Sequence, residues 1–562
     1  MPSTGSADAS VGPLERGLAV LRVLAHAPGG RLRPSELAKA TGLARSPVDR
    51  IAATLVRLGY LREEERELVL APRLMVLGAA YLRASALPAV LGPLAAELAR
   101  ELDESVSLAV PDGDAVRFVV QETRRRALSV AFRVGDALPA ERCAPGPLFA
   151  AGWSAGQWAA WRERWAADPR DEGFPAVPPR TAPRPSHDDF RALAAAAGER
   201  GWAVDDQLIE PGLIAVAVPV RAPDGGIVCA LSIVSHTSRH SADELREHTL
   251  DRLRRTADRM TAALGSPAAG PGGVGGVGGG LAGPGGVGAP VADRTAEAKR
   301  ESGPQYLQSL ARGLAVLAAL GEDPRGMTLS AVAHATGLAR ATARRSLLTL
   351  RNLGYVDAHD GLFTPLPRVL DLGYAPLAGL SLGEIAEPHL TELVRRVHDS
   401  ASVAVLDGED IRYVGRVAAS RTMRVSVTVG TRLPAHATSL GRVLLAGLPA
   451  AERARWLARA GLAPLTGLTL TDPDRLSAVL DRVAEDGYAL VDQELEEGVR
   501  SIAVPVLGRE GSVVAAANVS LHAGRTSAQE ARTRVLPALR ETAERIGADL
   551  AVVSGSRPSA PR

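Results

Sequence analysis

The hydrophobic positions of this 562-residue chain change period in a set order, and that order is run through twice. Leu14, Leu18, Leu21 and Leu24 recur at helical spacing on one face, and Leu310, Leu314, Leu317 and Leu320 repeat the pattern in the second half. A short helix is predicted next, over residues 35–41 and again over 330–336, each ending in Thr-Gly. There the glycine supplies the left-handed turn that stops one helix and lets the next cross it. The crossing helix is predicted over 46–58 and 341–353. Its inward side is Val48, Ile51, Leu55 and Leu58 in the first copy, and Ala343, Leu347, Leu350 and Leu353 in the second. Gly-Tyr then leads into short hairpins over 61–70 and 356–364, in the position of a wing. Later residues of each half mix helices with segments of period two. In the second half, 402–406 and 411–414 flank an Asp407-Gly408 turn, 424–429 alternates as a strand, and 501–506 pairs with 513–520 around Glu510-Gly511. The fold class is α+β: two winged helix-turn-helix domains, each followed by a larger domain of mixed strands and helices.

The two halves share words as well as periods. Residues 16–21 (RGLAVL) return at 312–317, Thr41-Gly42-Leu43-Ala44-Arg45 at 336–340, and Leu58-Gly59-Tyr60 at 353–355. Between the halves, 265–289 is nearly all Gly, Ala, Val and Pro, which cannot bury enough surface to offset its backbone entropy and reads as a flexible tether. The charged segment 293–301 either extends that tether or starts a short helix. The expected domains are therefore a first winged helix-turn-helix over 12–78, a first α+β domain over 88–264, a linker over 265–303, a second winged helix-turn-helix over 304–373 and a second α+β domain over 384–553.

Composition narrows the setting. There is no run of eighteen apolar residues and no export signal at the N-terminus, so a cytoplasmic protein is expected. Two cysteines, Cys143 and Cys229, lack the spacing of a metal site or a disulfide framework, and neither a metal nor a cofactor is expected. The formal net charge of +2 provides no global field, so any nucleic-acid contact must come from local basic faces. The outward side of the crossing helix provides one: Arg340, Thr342, Arg344, Arg345 and Ser346 in the second half, and Arg45, Ser46, Asp49 and Arg50 in the first. At the start of a recognition helix such residues meet phosphates and base edges. Asp49 would repel phosphate but can accept from a cytosine amino group. Because the two sets differ, the two modules are expected to prefer different half-sites on double-stranded DNA.

With these motifs assembled, both halves resemble the IclR family of bacterial transcription regulators. In the second half, residues 306–314 (YLQSLARGL), 350–355 (LRNLGY) and 434–442 (PAHATSLGR) resemble most the branch that regulates protocatechuate and 4-hydroxybenzoate catabolism. The resemblance implies a GAF-like effector domain after each winged helix-turn-helix and a DNA-bound form built from paired subunits. A tandem chain departs from the usual single unit, so a homo-oligomer is expected, with a dimer of tandem chains as one form. It also implies an effector site at Thr438, Ser439, Leu440 and Gly441, with Asp492, Ser501, Asn518 and Ser520 around it. The residues themselves agree in part, since Thr438-Ser439 before an apolar helix is a cap whose free N–H groups suit a carboxylate. Glyoxylate-responsive members carry Cys and Ser where this copy has Ser501 and Asn518, and an acid where it has Val491. A different small organic acid, aromatic or dicarboxylic, is expected.

In the first half the corresponding loop, 139–147, reads PAERCAPGP. Pro145 and Pro147 delete N–H donors, Cys143-Ala144 replaces Thr-Ser, and Glu141 adds an anion, so this domain should bind acids poorly. Asp206, Ala215 and Ser232 stand where the second half has Asp492, Ser501 and Asn518. The domain either senses something else or serves as scaffold and DNA reader. Trp153, Trp158, Trp161 and Trp165 form a local cluster whose simplest role is helix packing. Two other functions compete with a DNA-binding regulator. One is a sensor acting through protein partners without DNA. The other is a serine hydrolase, because residues 152–156 (GWSAG) match a nucleophile elbow at Ser154, with Asp206 and His236 downstream. The elbow needs a preceding strand, whereas residues 144–151 contain two prolines and align with a helix of the second half.

Overall fold

The computed structural model describes residues 12–124, 132–180, 186–265, 297–298, 300–301, 303–419 and 427–555. They form two compact units, one running to Gly379 and the other beginning at Leu380. Most of the expected tether, 266–296, and part of the expected strand at 424–429 lie outside the described residues; 427–429 are loop and turn.

The first unit opens with α1 (Pro13–His26), β1 (Arg31–Leu32), α2 (Pro34–Thr41) and α3 (Arg45–Arg57), then a wing of β2 (Leu61–Glu64) and β3 (Glu67–Leu70). The strands form a small sheet in the order β1-β3-β2. Leu14, Leu18, Leu21, Leu24, Val48, Ile51 and Leu55 are buried, as their spacing predicts. Gly42 closes α2 at φ 68°, which lets α3 turn across it. Helices α4 (Met75–Ser85) and α5 (Leu87–Leu102) lead into the first effector domain. This domain comprises β4 (Ser105–Asp112), β5 (Ala115–Glu122), β6 (Ala137–Pro139), α6 (Pro145–Ala150), α7 (Ala155–Ala167), α8 (His187–Arg200), β7 (Ala203–Asp206), β8 (Leu213–Arg221), β9 (Ile227–His236) and α9 (Ala242–Gly265). The second head repeats the first as α10 (Gln308–Ala319), β10 (Met327–Thr328), α11 (Leu329–Thr336), α12 (Arg340–Asn352), β11 (Val356–His359) and β12 (Leu362–Pro365), followed by the single turn α13 (Tyr374–Ala378).

The first unit thus holds both heads, and they pack on each other. A Cβ at Gly17 of α1 would overlap the Leu310 side chain of α10, and a Cβ at Gly313 of α10 would overlap Leu14 of α1. Leu14 and Leu310 are equivalent positions of the repeat, as are Gly17 and Gly313, so the contact is self-complementary like that of a twofold dimer, but within one chain. The leucines that look like a private helix core in the sequence therefore also build the seam between the heads. Leu307 N donates to Thr54 Oγ1 (2.9 Å) across the same seam. Asp371, after the second wing, accepts from Arg22 Nε (2.9 Å), pairs with His26 Nε2 (3.0 Å) and lies 3.7 Å from Arg117 of the first effector domain. Burial alone would raise its pKa, but the His26 hydrogen bond and the charges of Arg117 and Arg22 hold it well below the usual carboxylate range.

The second unit comprises α14 (Leu382–Val397), β13 (Ser400–Asp407), β14 (Asp410–Val417), β15 (Arg432–Pro434), α15 (Ser439–Ala446), α16 (Ala450–Leu457), α17 (Pro473–Asp486), β16 (Ala489–Asp492), β17 (Val499–Leu507), β18 (Val513–His522) and α18 (Leu536–Gly555). Both effector domains carry one antiparallel six-stranded sheet, ordered β6-β5-β4-β9-β8-β7 and β15-β14-β13-β18-β17-β16. In the second domain the outer face, with Ile502, Val504, Ala517 and Val519, packs under α14 and α18. The inner face, with Ala404, Tyr413, Ala503 and Ala516, packs under α15 and α17. No single helix among the described residues is long and apolar enough to cross a membrane; the pair of helical segments Pro72–Ser85 and Leu87–Leu102 reaches that apolar length only together, bent by 79°.

Candidate nucleic-acid interface and effector site

The outward sides of α3 and α12 carry unlike charge. On α3, Arg45, Ser46 and Asp49 are exposed and Arg50 is half-buried. Arg45 Nε lies 3.7 Å from Asp49 one helical turn on, so part of its charge is answered before any phosphate arrives. The wing beside α3 carries Glu63, Glu64, Glu65 and Glu67, with Arg31 3.5 Å from Glu64 and 3.6 Å from Glu67. On α12, Arg340, Arg344 and Arg345 are exposed, Thr342 is half-buried, and none of the three arginines has an ion-pair partner among the described residues. Ser346 departs from its expected outward position: it is 8% exposed. It sits three residues after Ala343 and four before Leu350, which places it on the core side of the helix. The acidic first wing was missed in the sequence, although its glutamates stand in the open there.

In the second effector domain a β-bulge decides what the inner face presents. The register of β13 and β14 shifts between Val403 and Ala404, so that Ala404 pairs with Tyr413 but Ser402 pairs with Arg416. The extra residue, Val414, turns Arg416 from the outer to the inner face. Ser402 also pairs with Asn518 on β18, so Arg416, Ser402 and Asn518 form one row across three strands. Arg416 Nη1 donates to Ser402 Oγ (3.5 Å), and partial burial draws the guanidinium pKa down. Ser501 and Ser520 are direct cross-strand partners on this face. Ser439 and Ser501 hydroxyls are 2.8 Å apart, and Asn518 Nδ2 donates to Ser520 Oγ at 3.4 Å. Asn518 is 3% exposed, and its Oδ1 finds no partner among the described residues.

At the loop, Thr438 Oγ1 accepts from Gly441 N (3.0 Å), the cap expected from Thr438-Ser439, and the helix begins at Ser439. This commits the Thr438 hydroxyl to the helix and leaves the Ser439 and Leu440 N–H groups as first-turn donors. Leu440 is buried in the inner core, and Gly441 is where a Cβ would overlap the Ala435 carbonyl. The loop is locked by Arg442, which donates from Nε to His436 O (3.0 Å) and from Nη1 and Nη2 to Glu494 (2.8 and 2.5 Å). Asp492 does not join the site. It pairs in register with Arg500, on the outer face, and accepts from Arg500 Nη2 (2.7 Å), whereas its neighbour Val491 faces inward opposite Ser501. Side chains alternate along a strand, so only one of two adjacent residues can reach the pocket. Sequence reasoning missed Arg416, Ser402 and Glu494; the bulge that turns Arg416 inward leaves no sequence signature.

The first effector domain builds the same frame with other chemistry. The loop helix α6 has no side-chain cap, and Pro145 and Pro147 supply no N–H. Glu141 is not aimed at a ligand: it accepts from Trp161 Nε1 (3.0 Å) and from Arg164 (3.1 and 2.7 Å). Burial raises its pKa, but the Arg164 guanidinium and the Trp161 indole outweigh that and hold it below the usual range. Arg142 clamps the loop by donating to Leu208 O (2.9 Å), Ile209 O and Asp171 (3.0 Å). The tryptophans pack among themselves and on Phe190, with Trp158 and Trp161 5.5 Å apart edge to face. Ser154 caps α7 through Gln157, after a helix rather than a strand, and His236 Nδ1 meets Ser238 Oγ (2.9 Å). A nucleophile elbow is absent there.

Models of two families match the chain, each twice. The IclR helix-turn-helix domain matches residues 13–65 and 309–360, and the bacterial transcriptional regulator IclR C-terminal domain matches 79–262 and 375–548. The Pca regulon regulatory protein of Pseudomonas putida is 44% identical over 237 residues, covering 42% of this chain and 81% of that protein. The p-hydroxybenzoate hydroxylase transcriptional activator of Acinetobacter baylyi is 37% identical over 246 residues, covering 43% and 91%. Among solved structures, a transcriptional regulator from Rhodococcus sp. RHA1 is 52% identical, covering 44% of this chain and 99% of that one, with a TM-score of 0.42.

Proposed function

The chain belongs to the IclR family of bacterial transcriptional regulators, carries both family domains twice and is not an enzyme, and from that premise we propose that one chain reads an asymmetric operator with two unlike heads under the control of an aromatic or dicarboxylic acid. The observation that carries the effector class is the row Arg416–Ser402–Asn518 beside Ser439 and Ser501. A guanidinium on the inner face answers a carboxylate, the hydroxyls and the Asn518 amide match a ring hydroxyl or a second carboxylate, and the first turn of α15 adds two N–H donors. The names of the relatives, a Pca regulon regulator and an activator for p-hydroxybenzoate hydroxylase, favour an aromatic acid over a short dicarboxylate.

The self-complementary packing of α1 on α10 supports the two-headed reading, because it gives one chain the paired heads that single-unit regulators obtain from two subunits. DNA places the working protein in the cytoplasm, and a dimer of tandem chains would present two such pairs. Acid binding alters operator affinity to the extent that it favours one arrangement of the chain over another. The test is fluorescence anisotropy of the full chain on its own upstream DNA, with and without 4-hydroxybenzoate, protocatechuate and succinate. Modulation by one acid in the wild type, lost in Arg416→Gln, is expected. Specific DNA binding that no acid alters would sink the effector assignment; no specific binding at low salt would instead favour action through a protein partner.

A further inference from the structure

The inner face of the first effector domain is not a blank copy of the second. Its β4–β5 register shifts between Leu108 and Ala109, the position equivalent to the second domain's bulge, so Gln121 turns inward where the second domain has Arg416. Gln121 pairs with Ser107, and Ser107 with Ser232, repeating the row across three strands as Gln121–Ser107–Ser232. Ser107 Oγ donates to Gln121 Oε1 (2.7 Å), which aims the amide nitrogen away from Ser107. Gln121 Nε2 then has no acceptor, and neither does the Oγ of Ser232, a residue only 2% exposed; both are buried atoms without partners among the described residues. Ser232 holds the place of Asn518, whose Oδ1 is the unpartnered atom of the second domain. Two independent sheets thus leave a polar atom unmatched at the same point, and an unmatched buried polar atom is a cost unless something binds to it.

We propose that the first effector domain is a second sensor, for an uncharged molecule with a flat apolar body and a carbonyl or hydroxyl oxygen that takes hydrogen bonds from Gln121 Nε2 and Ser232 Oγ. The surroundings match that class. Cys143, Ala144, Ala215 and Val234 are apolar replacements for Thr438, Ser439, Ser501 and Ser520, and Phe118 and Phe132 stack at 5.4 Å on the same side. The arginines beside the loop face carboxylates: Arg142 and Arg180 donate to Asp171, and Arg164 donates to Glu141. Asp205 faces inward opposite Ala215 and adds no positive charge for a carboxylate. Its burial raises the pKa to about 8, so at neutral pH it is mostly an uncharged acid accepting from Leu208 N (2.8 Å).

Benzamide and benzoate have one shape and different charge, and they separate this reading from the acid sensor of the second domain. The full chain carrying Arg416→Gln would be titrated calorimetrically with each. One benzamide per chain is expected, bound at least roughly tenfold more tightly than benzoate, and weakened roughly tenfold by Ser232→Ala or Gln121→Leu, the worth of one lost hydrogen bond. Ser232→Ala should also raise the melting temperature of the ligand-free chain, because an unmatched buried hydroxyl is gone; this distinguishes a lost contact from a misfolded variant. Gln121→Arg should reverse the preference toward benzoate. No heat with benzamide, benzyl alcohol or benzaldehyde, or affinities unmoved by both substitutions, would overturn the proposal while leaving the acid sensor of the second domain untouched.

Discussion

Replacing Arg344 and Arg345 together by alanine should change the salt dependence of operator binding more than replacing Arg45 and Arg50. On α12 both arginines are exposed without an ion-pair partner among the described residues, so each is available to displace a condensed counterion from a phosphate. On α3, Arg45 lies 3.7 Å from Asp49, and Arg50 is half-buried beside a wing with four glutamates. The slope of log affinity against log salt falls by about 0.9 per phosphate contact, so the α12 pair should flatten it by about 1.8 and the α3 pair by less than about 0.9. Between 50 and 200 mM salt, the wild-type chain should therefore lose roughly tenfold more affinity than the Arg344→Ala, Arg345→Ala variant. Asp49→Asn should act in the opposite sense, steepening the slope by freeing Arg45. The assay is anisotropy of labelled operator across a salt series, with circular dichroism to verify folding. Equal flattening by the two pairs, or no flattening by the α12 pair, would refute the unequal division of electrostatic work between the heads.

Three further outcomes follow from buried groups and from the seam. Gly17→Val with Gly313→Val wedges α1 from α10 at both equivalent positions; overpacking of this kind costs about 2 kcal/mol, and both melting temperature and operator affinity should fall, whereas Gly461→Val, at a site with open space, should leave both unchanged. Glu141→Gln removes the buried carboxylate that answers half-buried Arg164, which keeps Asp114, and should destabilise the first unit by about 2 kcal/mol at neutral pH in denaturant unfolding. Because the folded pKa of Glu141 is depressed, that contribution is present above the unfolded value of 4.5 and is lost as pH falls below it, so the variant and wild type should converge in acid. Asp205 behaves oppositely: folded, it keeps its proton up to about 8, while the unfolded carboxyl releases it near 3.8, so stability drains away as pH rises between the two. Asp205→Asn should flatten that decline and be more stable than wild type at pH 8; an unchanged pH profile would show that Asp205 is ionised in the folded chain.

Much of the fold was legible in the sequence because its determinants are local. Helical spacing of leucines, the Thr-Gly stops at Gly42 and Gly337, and the hairpins after Gly59-Tyr60 and Gly354-Tyr355 depend on side chains a few residues apart, and all reappear in the structure. The Thr438 cap was readable for the same reason, as was its loss at Cys143-Ala144. The elbow-like 152–156 was a false lead, since a motif of five residues does not carry the strand that would make it reactive. Ser346 and Asp492 were misplaced for a subtler reason: one residue along a helix or strand changes the face, and the phase is set by what the element packs against.

The sequence by itself determined that there are two regulator units, where the short and crossing helices of their heads run, and that their crossing helices and effector loops differ. These are properties of residue types at short spacing, or of direct comparison between two copies. Tertiary structure alone decided which residues meet. It made Leu14, Gly17, Leu310 and Gly313 one seam between two heads. It also turned Arg416 and Gln121 inward through one-residue bulges and left Asn518 and Ser232 each with an unmatched buried atom. Register and seam depend on cross-strand and cross-helix packing between residues far apart in the chain, and no local pattern encodes them.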